Sequence, residues 1–421
     1  MIDHPSPDNL PSAARVNGDR LWSRLMDMAE IGATQAGGSN RQALSDDDQA
    51  GRELFLEWAT SAGCHATTDK VGNLFVTRPG RSNDDPPVVL GSHLDTQPTG
   101  GRFDGVYGVL GALEVVESLN DRNIETPVPL QIAVWTNEEG SRFPVSMMGS
   151  AVWAGSLDLA EVLCLRDTEG ISVGTELDRL GWVGEAPFGH PMAAYIELHI
   201  EQGPILEASS DPIGVVTGVQ GLRWYTISFA GSPAHAGPTP MDVRQDPARA
   251  LASALQSIYG VAADHGPWAR ATPAQFRSFP VSPNTVPAEI SFSLDLRHPD
   301  SQTLDSMDRA VTAVVSEAAR THQCGSAITV DNYSAPVDFD AGLVSVIEAA
   351  ANGCGFPNQR IVSGAGHDAC YVATKAPTAM IFVPCENGLS HNEAESISAL
   401  DAQRGADVLL GTALKVFDEL A

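Results

Sequence analysis

Five short stretches of this chain, spread between residues 91 and 393, carry side chains that bind divalent cations, and each sits where a strand is expected to stop. They are Gly91-Ser-His93-Leu-Asp95, Gly101-Arg-Phe-Asp104-Gly105, Thr136-Asn-Glu138-Glu139-Gly140, Leu198-His199-Ile-Glu201-Gln202-Gly203 and Ser390-His391-Asn-Glu393. For these to act together, groups hundreds of residues apart must meet at one edge of the fold. An α/β sheet with parallel strands does this, because its chemistry collects at the carboxyl ends of the strands.

The rest of the chain is patterned accordingly. Apolar runs at 73–77, 87–92 and 130–136 read as strands, and 21–30, 51–61 and 106–119 read as helices from apolar positions at helical spacing. Strands alternating with helices predict a mixed, largely parallel sheet flanked by helices. From about 213 the order becomes β-α-β-β-α-β, with helices over 246–265 and 301–323, which matches a ferredoxin-like unit. The expected organisation is a discontinuous catalytic, metal-binding domain, 1–212 with 334–421, interrupted by an inserted lid or dimerisation domain, 213–333. A last helix over 401–420 should pack on the catalytic sheet.

Charge narrows the partners. With 25 basic and 53 acidic residues, a net charge of −28 argues against nucleic acid or an anionic membrane. No apolar stretch approaches the ~18 residues of a membrane span, and Met1 to Asp8 lacks the basic and apolar regions of a signal peptide. Six scattered cysteines without CxxC spacing suit buried free thiols. A cytoplasmic enzyme with a small-molecule substrate is the expectation.

Imidazole and carboxylate together suit zinc, manganese or a neighbouring transition metal. Three histidines with two or three carboxylates exceed the needs of one tetrahedral ion and match two ions sharing a carboxylate, the arrangement of metal-dependent hydrolases. Within it, His93 is a ligand and Asp95 orients its other ring nitrogen, on the argument that residues two apart share a strand face. Asp104 lies at the mouth of the 106–119 helix, where its charge is favoured. Glu138 and Glu139 end an apolar strand side by side. A metal on Glu139 relieves their repulsion and leaves Glu138 as general base. Glu197, His199 and Glu201 project to one face of their strand. His235, Asn284 and Arg297 in the inserted domain are candidate substrate contacts, and the 363–368 turn, with Gly366 and His367, is a candidate anion nest. Each has a bland alternative: a capping Asp95, a solvated 195–201 face, or Arg297 paired with Asp295 or Asp300.

These motifs, with Ala234-His235-Ala-Gly-Pro-Thr-Pro-Met and Ser363-Gly-Ala-Gly-His-Asp-Ala, closely resemble the amidase, hydantoinase/carbamoylase family of the two-metal exopeptidase superfamily. The resemblance runs from about residue 70 to 395. It implies a di-zinc exopeptidase-like fold with two divalent ions per subunit. His93, Asp104 and His199 would hold one, and Asp104, Glu139 and His391 the other, zinc being the first choice and manganese, cobalt or nickel the alternatives. It further implies Glu138 as base, with His235, Asn284, Arg297, Gln202, Gly366 and His367 at the substrate. A homodimer through the inserted domain, with His235 acting across it, and a cis Asp104–Gly105 peptide are also implied. The implied substrates are ureido acids: N-carbamoyl-L-α-amino acids, N-carbamoyl-β-alanine or allantoate. A dipeptidase or N-acyl amino acid hydrolase with the same centre, and a non-catalytic ligand-binding relative, are the alternatives.

Overall fold

A computed structural model describes residues 15–421, so the Met1–Asp8 stretch read for a signal peptide lies outside the described residues. The chain divides into two compact units, one running through Thr217 and again from Phe339 to Ala421, the other Gly218–Asp338.

The larger unit is built on one sheet. Its path runs His65–Thr68, Leu74–Arg78, Leu130–Trp135, Val88–His93, Ala194–Ile200, Thr378–Val383 and Ile213–Val219. Val88–His93 is parallel to both Leu130–Trp135 and Ala194–Ile200, and the latter is parallel to Thr378–Val383. The outer pairings are antiparallel. Every residue of the four central strands is buried. That is the pattern of a parallel sheet covered on both faces, and it explains why these segments read as unbroken apolar runs rather than alternating ones.

Helix Val106–Asp121 lies against this sheet with almost its whole surface buried. It approaches closely because Gly108 has no side chain: a Cβ there would stand 2.4 Å from the Leu198 carbonyl oxygen and 2.7 Å from the Ser92 Cβ. Helix Ala399–Leu420, capped by Ser398, packs against the same helix and against strand Thr378–Val383. Strand Ile213–Val219, read from sequence as the start of the insertion, instead pairs with Thr378–Val383. Its apolar residues are buried in the larger sheet, so the boundary between units falls inside the strand, after Thr217.

The smaller unit has a four-stranded antiparallel sheet in the order Gly325–Ser334, Gly221–Ala230, Glu289–His298, Arg270–Phe279. Helices Pro247–Asp264 and Ser301–Thr321 cover one face. Alternate strand residues Tyr225, Ile227 and Phe229, with Phe292, Leu294 and Leu296, form a core with Ala254, Ile258 and Val311. A separate two-stranded antiparallel ladder pairs Ala234–His235 with Thr285–Val286. All six cysteines are unpaired, but only Cys64 and Cys385 are buried; Cys324, Cys354 and Cys370 are partly exposed and Cys164 is exposed. Among the described residues no helix is long and apolar enough to cross a membrane.

Candidate metal centre

The parallel strands deliver the ligand-bearing residues to one edge. His93 is the last residue of its strand, His199 the last but one of the neighbouring strand, and Glu138 and Glu139 follow the end of Leu130–Trp135. Asp104 precedes Gly105, whose φ of 67° opens helix Val106–Asp121. A Cβ on Gly105 would lie 2.3 Å from the His93 ring, so only glycine lets the bridging turn approach the imidazole. The Asp104–Gly105 peptide is not cis; the tight turn is made by glycine's positive φ instead.

Asp104 sits between two donor sets and offers one oxygen to each. Its Oδ1 is 3.1 Å from His199 Nε2 and 3.7 Å from His93 Nε2. Its Oδ2 is 3.5 Å from His391 Nε2, which in turn is 3.2 Å from Glu139 Oε2. The donor atoms of His93, Asp104 and His199 all lie within 4.8 Å of one another, as do those of Asp104, Glu139 and His391. The Nδ1 atoms of His93 and His199 are each 2.9 Å from a backbone carbonyl, of Asp95 and Ile200. Those bonds suit a proton on Nδ1 and turn Nε2 toward Asp104, so that loss of the Nε2 proton leaves the tautomer a ligand needs. Nitrogen and oxygen donors in this density fit a divalent metal centre.

A third group, Glu197, His199 and His367, is equally close, but Glu197 is already satisfied. It accepts from Ser92 Oγ at 2.8 Å, Tyr195 Oη at 3.2 Å and Ala369 N–H at 3.0 Å. It supports the centre from below.

Electrostatics distinguish the acids. Burial raises the Asp104 carboxyl, but the facing His199, His93 and His391 outweigh it and hold it well below the usual range. Burial lowers His199, yet the hydrogen bond and charge of Asp104 push it up to about 9. Glu139 pushes His391 up to about 9. Glu138 goes the other way: burial, then the charges of Asp368, Glu139, Asp104 and Asp95, push its carboxyl well above the usual range. Its Oε2 lies 3.5 Å from His93 Nε2.

Several residues occupy places other than those expected. Asp95 holds His93 through its carbonyl, with its carboxylate 3.9 Å from the ring. The strand stops at His93, so the same-face argument does not extend to Asp95. Its carboxylate instead accepts the Glu138 and Glu139 backbone N–H groups at 3.2 Å each. Gln202 donates to Asp104 Oδ2 at 2.7 Å, so its amide steadies the shared carboxylate. Glu201 caps helix Ile205–Ser209, accepting from Ile205 and Leu206 N–H. The Ala365 N–H, part of the expected anion nest, is turned back onto Ser363 Oγ at 3.1 Å. His367 is 2% exposed, and its ring stands edge-on to His199 with centroids 4.6 Å apart, so it backs His199 rather than meeting solvent.

The candidates in the smaller unit separate into two places. His235 pairs with Thr285 in the short two-stranded ladder, and Ala236 N–H donates to the Asn284 carbonyl at 2.8 Å, so His235 and Asn284 lie together. Arg297 is at the opposite end of strand Glu289–His298, facing Leu222, its guanidinium paired with Asp295 at 2.8 Å. Glu289, three residues beyond that ladder, and Arg297 are eight positions apart, about 27 Å of extended strand. One chain's Arg297 and Asn284, both candidate substrate contacts, therefore stand too far apart along the strand to grip one carboxylate.

Sequence reasoning overlooked three supports. Glu395, 1% exposed, accepts the Phe103 and Asp104 N–H groups at 2.9 and 3.1 Å. Ser390 Oγ bridges Asp104 Oδ2 and Glu395 Oε2 at 2.9 and 3.0 Å. Arg41, 1% exposed, bonds the Leu94 carbonyl at 2.9 Å from beneath. An acid two residues beyond the Ser-His-Asn-Glu run was the one available signal for Glu395.

Comparison with known proteins agrees with this geometry. Residues 89–415 match the family described as peptidase family M20/M25/M40. An N-carbamoyl-L-amino-acid amidohydrolase of Rhizobium meliloti is 47% identical over 95% of this chain and 97% of its own length. An allantoate amidohydrolase of Bacillus subtilis is 31% identical over 91% of this chain and 93% of its own. The crystal structure of an amidase of the hydantoinase/carbamoylase family from Burkholderia multivorans superposes with a TM-score of 0.93. It is 48% identical and covers 96% of this chain and 98% of that one.

Proposed function

We propose, on the premise that this chain belongs to peptidase family M20/M25/M40 and to the hydantoinase/carbamoylase amidases within it, that it hydrolyses the carbamoyl C–N bond of N-carbamoyl-L-amino acids. Water and the ureido acid give amino acid, ammonia and carbon dioxide. The observation that carries this reading is Asp104, one oxygen toward His93 and His199 and the other toward His391 and Glu139, with a buried carboxyl group, Glu138, beside it. Full-length similarity to amidohydrolases of this type supports the substrate class.

In this reading His93, Asp104 and His199 would hold one divalent ion and Asp104, Glu139 and His391 a second, zinc being the first choice. Such ions, when bound, polarise a carbonyl and lower the pKa of water toward neutrality. The chain's own residues do the rest. Glu138 accepts the proton shed by the attacking water and returns it to the ureido nitrogen as the C–N bond breaks. Glu138, buried beside His93 and next in sequence to Glu139, is placed to hold that proton and deliver it. Asp95 fixes the Glu138 and Glu139 backbones, and Gln202 and Ser390 steady Asp104. Arg297 meets the substrate carboxylate, and His235 and Asn284, beyond the other end of the Arg297 strand, serve the site of a second copy in a homodimer joined through the smaller unit. The unpaired cysteines and the acidic charge suit a cytoplasmic protein without nucleic-acid or membrane partners.

The test is turnover by metal-reconstituted protein on a panel: N-carbamoyl-L-α-amino acids, N-carbamoyl-β-alanine, allantoate, N-acetyl amino acids and dipeptides. Preference for the N-carbamoyl-L-α-amino acids is expected. Faster turnover of allantoate would favour the second reading, which the Bacillus subtilis relative keeps in view. Faster turnover of acyl or peptide bonds would overturn the assignment.

A further inference from the structure

Four of the non-glycine residues with positive φ flank the metal centre: Asn137 at 56°, Met147 at 52°, Gln202 at 57° and His391 at 53°. Asparagine and histidine tolerate this backbone region comparatively well, and Gln202 has its amide on Asp104. Met147 has no such account. An unbranched thioether makes no local hydrogen bond, and a left-handed backbone is a strained place for it, of the kind that persists where surrounding structure over-determines it.

The surroundings do so here. The Met147 N–H donates to the Glu138 carbonyl at 2.6 Å, and its own carbonyl accepts from Ala151 N–H at 3.0 Å and Ser150 Oγ at 3.1 Å. The Asn137 amide ties down the loop between, donating to the Phe143 and Val145 carbonyls at 3.2 and 2.8 Å. Met147 is thus locked directly behind Glu138. Its half-buried side chain reaches across to the other turn of the site: a Cβ on Gly366 would meet Met147 Cε at 3.0 Å and Sδ at 3.3 Å. The thioether lies where a side chain at 366 would be, spanning the Glu138 turn and the Ser363–Asp368 turn.

We propose that Met147 is a specificity-determining residue, its thioether forming the apolar wall against which the α-substituent of the amino acid packs. This rests on the ureido-acid reading of the site. A substrate with its ureido carbonyl at Glu138 and the centre has its α-carbon one bond from the ureido nitrogen, within reach of the wall that runs from Glu138 to Gly366. A flexible, polarisable side chain accepts apolar groups of several shapes, up to the length that the span allows. The substrate class it favours is therefore the α-amino acid with a small or linear apolar side chain. N-carbamoyl-β-alanine has no α-substituent to meet it.

The experiment compares kcat/KM for the N-carbamoyl derivatives of L-alanine, L-methionine and L-phenylalanine in the wild type, Met147→Gly, Met147→Asn and Met147→Leu, with metal content measured in each. Glycine and asparagine both suit the positive φ, so at least one opened variant is expected to fold as well as the parent. Opening the wall should raise the phenylalanine-to-alanine ratio of kcat/KM about tenfold or more, the size of effect that adding or removing apolar pocket contacts has. Met147→Leu should return the wild-type ratio. An unchanged ratio, or one equal loss for all three substrates, in the folded variants overturns the proposal. A wild type that turns over none of the three fails the ureido-acid reading instead, so the two failures are distinct.

Discussion

At the residue scale the centre turns on which acid stays charged. Asp104 is surrounded by imidazoles and remains a carboxylate, whereas Glu138, adjacent in space and equally buried, faces other acids. Glu138→Gln keeps the shape and loses only the proton carrier, so it should retain the metal content of the parent. Its turnover should fall by about 10²–10⁴-fold, the usual worth of a general base; rates near the parent's would remove Glu138 from that role. Asp95→Ala leaves the Glu138 and Glu139 N–H groups without their acceptor. Support of that kind typically contributes about 10–100-fold in metal affinity or activity, and a competition assay with a chelator should read a loss in that range. Unchanged affinity and turnover would make Asp95 a bystander.

At the scale of elements, His93, Glu138, Glu139 and His199 were legible because each follows or closes an apolar run, and a parallel sheet brings such ends together. Asp95 was legible as a residue of the site but not in its role, since where the strand stops decides whether carbonyl or carboxylate faces the ring. Glu395 was barely legible: a buried acid in an irregular loop has no periodicity to mark it, and its bonds from two backbone N–H groups and from Ser390 identify it. The fit of helix Val106–Asp121 on the sheet gives a prediction of its own. Gly108→Ala places a methyl group 2.4 Å from the Leu198 carbonyl oxygen. Overpacking against backbone should cost about 1–3 kcal/mol, read as a lowered Tm, and a melting curve like the parent's would show that the helix can back away.

At the scale of the whole molecule, protons and metal compete. In metal-free protein His199 and His391 are both held at about 9, above the ordinary 6.5 of an imidazole. A pKa raised on folding gives stability that is fully present below about 6.5 and is lost as pH rises through about 9. A metal needs both rings neutral, so its affinity should rise over the same interval and its binding should release protons. The melting temperature of chelator-stripped protein should therefore fall from pH 6.5 to 9.5 while the gap to the metal-loaded form widens. A gap that narrows with pH would contradict the pairing of these imidazoles with Asp104 and Glu139. The homodimer reading makes a second claim at this scale. Mixing His235→Ala with Glu138→Gln protein under conditions that exchange subunits should restore about a quarter of wild-type activity, because half the dimers are hybrids with one complete site. No recovery would return His235 to its own chain's site or remove it from catalysis.

What followed from the order of amino acids alone was the kind of centre and the kind of sheet. Metal-binding side chains have a chemistry that does not depend on where they sit, and unbroken apolar runs between helices admit few folds but a covered parallel sheet. The tertiary structure decided the rest: that Gln202 holds Asp104, that His367 backs His199, and that Arg297 and Asn284 stand beyond opposite ends of strand Glu289–His298. Strand register and side-chain burial set those relations, and both depend on contacts between residues too far apart in the chain for any local pattern to encode.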